Sequence, residues 1–444
     1  MRNVKRSVHW SQLVVRGFFI VALAALLLAG LQSIRNPNFS NTTSAPNTPA
    51  ATTQSVAVAT APTPAMSDGS PPSSLPTLEI EPVASTNHVG DEACRSCHQD
   101  KTSTYHRTAH YLDSSLPTRD SIAGKFGPNS NILKTLNTNL WFEMEATEEG
   151  FFQTARLRLS PTQVVQRTER FDVVIGSGKR GQTYLYWRDD DLFELPVSFW
   201  VELGEWGNSP GYTDGSASFS RPIGPRCLEC HASSFESLAP PVNRFNRTSL
   251  VLGITCEKCH GPGREHIERY RSQTPPQSPA EAAIINPSRL SRDRQVDVCG
   301  LCHAGAGEPL VPSLSFVPGD VLDKYVNLFK SDPHAHMDVH GNQVEFLERS
   351  RCFQSSPTMT CSTCHDVHTP QRELAAFASR CLTCHQIESC GAFSKLSHGI
   401  DGKCVVCHMP LQQSGVVISS VNGSVSHRKM RNHQIAVYPD VQLP

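Results

Sequence analysis

Apolar and polar positions change rhythm several times along the chain, and each change marks an element. An unbroken apolar run from Gly17 to Leu31 follows Arg2, Lys5, Arg6 and Arg16. A basic flank before an apolar core is the pattern of an export signal or a signal anchor, positive side inward. The run is shorter than the roughly 20 residues of a usual membrane span. However, no small-x-small cleavage site follows closely: Ala57-Val58-Ala59 lies far downstream, and no cysteine follows for a lipid anchor. The expectation for residues 1–35 is an uncleaved anchor, with a cleaved signal peptide as the alternative. Either way the bulk of the chain is exported. Periodicity then vanishes over residues 36–87, where Pro, Ser, Thr and Ala make up 34 of 52 residues and only Asp68, Glu79 and Glu81 are charged. Such a stretch cannot bury a core and reads as a disordered linker, spanning on the order of 40 Å as a coil.

A first segment, 88–120, carries a helical pattern across DEACRSCHQDKTSTYHRTAHYL, with Asp91 as candidate N-cap. Four residues separate His106 and His110, which places them on one helical face. From 121 to 225 the period becomes two. Leu140, Phe142, Met144 and Ala146 alternate with Trp141, Glu143 and Glu145, and Ala155, Leu157 and Leu159 alternate with Arg156 and Arg158. With Glu149-Gly150 as the turn, this predicts a β-hairpin. FDVVI at 171–175, QTYLYW at 182–187 and VSFWV at 197–201 are further strand candidates. GSGKRG at 176–181 lacks the spacing of a phosphate loop and reads as a plain turn. Over 226–444 the phrases GPGREH, INPSRL, FVPGD and SSPTMT punctuate the chain with Gly and Pro. Short helices between loops, with little other regular structure, are expected there.

Chemistry enters with the cysteines. Cys-x-x-Cys-His occurs seven times, at Cys94/Cys97/His98, Cys227/Cys230/His231, Cys256/Cys259/His260, Cys299/Cys302/His303, Cys361/Cys364/His365, Cys381/Cys384/His385 and Cys404/Cys407/His408. These hold 14 of the 16 cysteines. With 19 histidines in 444 residues, chance would put one after every pair with a probability of roughly 10⁻¹⁰, so the pattern is a c-type haem attachment signal. Two thiols add across the vinyl groups of one porphyrin, so they must lie close together on one side. The next residue then places an imidazole under the iron. Zinc ribbons need no histidine at this fixed place, and a thioredoxin-like Cys-x-x-Cys occurs once, in a βαβ context. The cofactor read from the chain is therefore haem c, seven covalently attached groups, and the fold class is a multihaem cytochrome c. Short α-helices and loops surround stacked haems, with 121–225 as a β-rich haemless insert and 226–444 as a six-haem domain.

Composition fits that reading. Apolar residues with glycine make up about 43% of the chain, just under the usual share, and seven porphyrins would supply much of the missing core. The formal charge is −1. Two propionates and one ferric core per haem bring the oxidised, loaded chain to roughly −8. This argues against nucleic acid and for a basic or neutral redox partner.

An iron with histidine on both faces suits electron transfer, whereas one with an open face can bind and activate a small molecule. Beyond the motifs stand His9, His88, His106, His110, His266, His334, His336, His340, His368, His398, His427 and His433. His9 precedes the anchor. The rest outnumber seven irons, so histidine ligation on both faces is affordable throughout. The leading distal candidates are His110, His266, His340, His368, His398, His427 and His433. His266 is too close to His260 in sequence to reach round the same porphyrin and is expected to cap a neighbouring haem; His368, just after His365, follows the same logic. Cys352 and Cys390, outside the motifs, are candidates for a disulfide, with free thiols or an axial thiolate as alternatives.

The phrases TAH, GITCEKCHGPGREH, NPSRLSRDRQVDVCGLCH, SRCFQSSPTMTCSTCHDVH and CVVCHMP resemble exported multihaem cytochromes c of the hydroxylamine-oxidoreductase-like and nitrite-reductase-like superfamily. The likeness covers 88–120 and 226–444. It implies haems stacked in close pairs and chains, with His266 and His368 as distal ligands. It also departs from those enzymes: no Cys-x-x-Cys-Lys motif is present, and there are seven haem motifs rather than eight. Two functions follow. One is a periplasmic or membrane-tethered electron carrier between a quinol-side donor and a terminal reductase or oxidase. The other is an oxidoreductase acting on a small nitrogen or sulfur compound at one five-coordinate haem.

Overall fold

The computed structural model describes residues 87–439 apart from 239, 241, 329–336, 397–399 and 401. The expected anchor, the linker up to residue 86, and His9, His334, His336 and His398 lie outside the described residues. Among the described residues no helix is long and apolar enough to cross a membrane. Residues Thr77–Pro444 cluster as one unit.

The haemless stretch is β-structure, for the reason its alternation gives. Strand β1 is Ser114–Ser115, β2 Ile132–Lys134, β3 Leu140–Ala146, β4 Phe151–Ser160 and β5 Gln163–Arg170. Strands β2 to β5 form an antiparallel four-stranded sheet in chain order. In β3, Leu140, Phe142 and Met144 are buried while Trp141, Glu143 and Glu145 are not. The predicted hairpin is present, with Leu140 opposite Leu157 and Ala146 opposite Phe151. Strand β5 escapes sequence reading because all but one of its residues are exposed and no burial imposes a period.

Next come β6 Val173–Ile175, β7 Thr183–Arg188, β8 Asp191–Glu194, β9 Val197–Trp200, β10 Glu205–Asn208 and β11 Arg221–Pro222. A five-stranded sheet runs β1-β6-β7-β8-β11, and β9 pairs with β10. The turn over 176–181 joins β6 to β7. Gly176 has φ 106°, and a Cβ there would lie 2.5 Å from the Gly181 carbonyl oxygen, so only glycine fits. One core joins the sheets, built on Phe142, Met144, Phe171, Tyr184, Phe199 and Trp206. Gln153 acts as an extra ladder rung inside it: its amide donates to the Val197 carbonyl and accepts from the Val197 N–H, both at 3.1 Å.

The helices are short. Helix α1 is Asp91–Arg95, α2 Gln99–Tyr105, α3 Pro225–His231, α4 Cys256–His260, α5 Arg264–Arg271, α6 Arg292–His303, α7 Gln343–Glu348, α8 Arg351–Ser355, α9 Leu374–Cys381, α10 Phe393–Leu396 and α11 Cys404–His408. Hairpins also occur where only loops and helices were expected: β12 Ala232–Ser237 with β13 Phe245–Leu252, the two-residue pair β14 Glu308–Pro309 with β15 Val326–Asn327, and β16 Leu411–Val421 with β17 Ser424–Arg431. The chain thus holds more strand than the helical haem scaffold predicted. In β16 and β17 polar residues blur the period, and the turn carries the signal. Asn422 and Gly423 have φ of 50° and 80°, the paired positive angles of an Asn-Gly hairpin turn. The β16 end packs on β10: a Cβ at Gly207 would meet Val421 Cγ2 at 2.6 Å.

The first segment also differs from expectation. The predicted single helix is two, broken over residues 96–98. The N-cap is Gly90, and Asp91 is the first helical residue. His106 is the C-cap of α2, and His110 lies beyond it in a turn, so the two do not share a helical face.

Candidate haem sites

Each motif is one turn of helix. Four lie in α3, α4, α11 and the end of α6. In the other three the histidine N–H donates to the first cysteine carbonyl, His98 to Cys94 at 2.9 Å, His365 to Cys361 at 2.9 Å and His385 to Cys381 at 3.0 Å. A turn puts residues three and four apart on one side, so both thiols and the imidazole face the same space. None of the 14 motif cysteines is buried, and all are free, as are Cys352 and Cys390. The disulfide considered for that last pair is not formed.

The histidines come together in twos. The rings of His98 and His266 have centroids 6.4 Å apart and lie within 19° of parallel. His260 and His368 stand at 6.1 Å and 26°, and His365 and His433 at 6.4 Å and 23°. His110 and His303 are 6.0 Å apart at 77°. Each pair joins a motif histidine to a distal candidate from elsewhere in the chain. A ligating imidazole nitrogen sits about 2.0 Å from its metal, so two rings on opposite faces of one iron have centroids about 6 Å apart. The gaps are too wide for ring contact and match one iron. Among the described residues no three or more His, Cys, Asp or Glu side chains converge on a metal-sized point. A haem iron asks the protein for only two ligands.

The other ring nitrogen is held in many of these histidines. Nδ1 of His260 contacts the Ile285 carbonyl at 2.7 Å, His266 that of Ala282 at 2.7 Å, His408 that of Ala436 at 2.8 Å, His427 that of Ser414 at 3.0 Å and His433 that of Arg431 at 3.2 Å. His231 differs: its Nδ1 is 2.8 Å from Asp113 Oδ2. Fixing Nδ1 orients Nε2 toward a metal. Burial holds His110, His303, His365 and His368 below the usual histidine range, and drives His433 down to about 4; a neutral ring is the form that ligates. Burial also lowers His340, whose charged neighbours include Asp338, His231 and His303. His106 is engaged otherwise: Nε2 is 3.1 Å from Asp91 Oδ2 and the ring stacks on Tyr111 at 3.8 Å.

Two buried carboxylates that sequence reading missed lock motifs together. Asp91 Oδ1 accepts from the Cys256 N–H at 3.0 Å, at the start of α4. Glu257 in turn accepts from Val89 N–H at 3.0 Å, Gly90 N–H at 2.9 Å and Gly263 N–H at 2.8 Å. Helices α1 and α4 therefore satisfy each other's N-termini, and the loop leading to His266 is tied to the same carboxylate. Thiols of different motifs also meet: Cys256 donates to Cys94, Cys302 to Cys230 and Cys299 to Cys361. Burial pushes the Cys259 thiol up. Arg226 links Glu229 in the second motif to the Leu301 carbonyl in the fourth, at 2.7 and 2.8 Å.

The sixth and seventh motifs stand outside this bonding network, contrary to the uniform set of sites expected from the sequence. Cys384 is exposed, and its Sγ lies 3.8 Å from Thr383 Oγ1 within its own motif. Cys407 is half-buried in α11, and its backbone N–H donates to the Lys403 carbonyl at 3.3 Å. Among the described residues neither thiol hydrogen-bonds to a thiol of another motif, so Cys384 and Cys407 are candidates on motif geometry alone. The physical reason is their place in the chain. The loop after α10 that carries His398 lies outside the described residues, and little apolar packing surrounds either motif. Proximity still sets their order. Burial raises the Cys364 thiol, with Cys352, Cys361 and Cys384 adding to it. Burial likewise pushes Cys381 up to about 11, with Cys404 next in effect. The sixth motif therefore lies between the fifth and the seventh.

Residues 214–261, which hold the second and third motifs, match the family model of cytochrome c554 and c-prime. A C-type polyhaem cytochrome of Geobacter sulfurreducens, OmcC, is 25% identical over 222 residues, 44% of this chain and 27% of the relative. The chain thus matches about a quarter of that relative's length. The crystal structure of the outer cell wall cytochrome OcwA superposes with a TM-score of 0.49 at 20% identity, covering 75% of this chain and 79% of the other. An undecahaem cytochrome from the S-layer of Carboxydothermus ferrireducens gives 0.38 at 16% identity, with 80% and 52% covered. In its attachment motifs and in its matched sequence, the chain is similar to multihaem c-type cytochromes.

Proposed function

We propose that the protein carries seven haems c and passes electrons along them. The observation that carries this reading is the set of histidine pairs spaced for one iron, each built from one motif and one distant residue. Bound haem supplies a one-electron iron couple and a conjugated ring through which that electron reaches its neighbour. The chain's own residues do the rest. Motif cysteines anchor each ring. His266, His368, His433 and His110 close the second faces of the haems held at His98, His260, His365 and His303. His340 closes that of His231, and His398 and His427 serve the last two motifs. Contacts between motifs give an order in which the first lies beside the third, the third and second beside the fourth, and the fourth beside the fifth. Within multihaem cytochromes the phrases around the motifs favour the hydroxylamine-oxidoreductase-like and nitrite-reductase-like group.

The apolar run at 17–31 would tether the protein to the outer face of the cytoplasmic membrane, with the linker holding the haem unit away from it. A quinol-side donor and a terminal reductase or oxidase are the partners in this scheme. Intact mass and the visible spectrum of the purified protein test it. Seven haems of added mass, with Soret and α bands, are expected. A chain of bare polypeptide mass would overturn the proposal.

A further inference from the structure

We propose that Asp113 lowers the reduction potential of the haem attached at Cys227 and Cys230, acting through the ring of His231. The inference rests on the electron-transfer reading above. Where His260 and His408 turn Nδ1 to neutral backbone carbonyls, His231 turns it to a carboxylate oxygen at 2.8 Å. Ferric haem carries one more positive charge than ferrous. A negative charge on the far side of the ligand ring makes the imidazole a stronger donor and favours the ferric form. Giving up the electron becomes easier, and the midpoint potential falls.

The haemless sheet puts this carboxylate in place. Asp113 directly precedes β1, and its carbonyl accepts from the Gly176 N–H at the end of β6. Ser114 pairs with Ile175 across β1 and β6. Its hydroxyl donates to the His231 carbonyl and accepts from the Gly253 N–H at 2.8 Å. The same sheet walls the site. A cavity of about 200 Å³ lies between it and the second motif, with Ile175, Leu185, Ile223 and Leu228 facing Cys227 and His231. Apolar walls keep water from screening the Asp113 charge. The insert is therefore a tuning element for one haem.

The test uses full-length, haem-loaded protein. Asp113→Asn keeps a side-chain oxygen and removes the charge; Asp113→Glu keeps the charge; Ser114→Ala removes a neutral contact of the same strand. Intact mass counts the haems and spectroelectrochemical titration reads the potentials. In Asp113→Asn the mass should show the full haem complement and one potential should rise while the others stay. Asp113→Glu should move that potential less, and Ser114→Ala should leave it in place. A fully loaded Asp113→Asn protein with unchanged potentials overturns the proposal. So does an Asn variant lacking one haem, since the carboxylate would then serve attachment. Failure of the underlying reading looks different, as wild-type protein without Soret absorption.

Discussion

His368 stands three residues after His365 yet faces the ring of His260, 6.1 Å away, while His365 faces His433. Neighbours in sequence thus serve separate pairs. Replacing His368 by alanine should open one face of the third haem and leave its attachment intact. The expected result is a new high-spin ferric signal with the haem count unchanged; an all-low-spin spectrum would deny His368 a place on iron. At the edge of the second site, burial pushes Glu194 up to about 7 against the pull of Arg221 at 3.1 Å. The folded chain then holds this proton more tightly than the unfolded chain, whose glutamate titrates near 4.5. Burial of the charge costs stability as pH rises from about 4.5 to 7. Glu194→Gln should remove this loss, on the order of 3 kcal/mol, measured as a flatter dependence of denaturation midpoint on pH between 5 and 8. The motif histidines were legible because the chemistry fixes them in sequence. Their partners could be named only as candidates, because pairing depends on where a distant loop returns. Asp91, Asp113 and Glu257 left no pattern at all: an acid that accepts backbone N–H groups looks, in sequence, like any surface acid.

At the scale of elements, burial decided what could be read. Strand β3 sits with one face on the core, so its alternation survives in sequence. The β16–β17 hairpin has a mixed face, and only Asn422-Gly423 announces it. Both residues have positive φ, so Gly423→Val should strain the turn and cost about 1–2 kcal/mol, seen as a lower denaturation midpoint with the haem spectrum unchanged. A variant as stable as the parent would mean the turn does not fix the hairpin. The same hairpin packs on β10 through Gly207 and Val421. Its end is joined there by Ser420, whose hydroxyl donates to Asp214, and by Arg428, which lies 3.4 Å from Glu202. The first helix divided because residues 96–98 must present Cys97 and His98, a demand that local helix pattern does not show.

Across the whole molecule, apolar packing is uneven. The largest core clusters lie in and beside the haemless sheets, while around the later motifs they shrink to a few side chains such as Leu301, Leu322 and Val326. The motif cysteines stay accessible. A chain built this way leaves the space between its motifs to porphyrin, and the sheets supply the rigid part that the haem-bearing segments lack. The central claim is that histidine closes both faces of every iron, which makes the protein a conduit. Low-temperature EPR of the oxidised, fully loaded protein tests it most directly. The account predicts only low-spin ferric signals, unchanged by nitrite, hydroxylamine or sulfite. A high-spin signal that one of these ligands converts to low-spin would contradict it, and would point instead to an oxidoreductase working at one open haem.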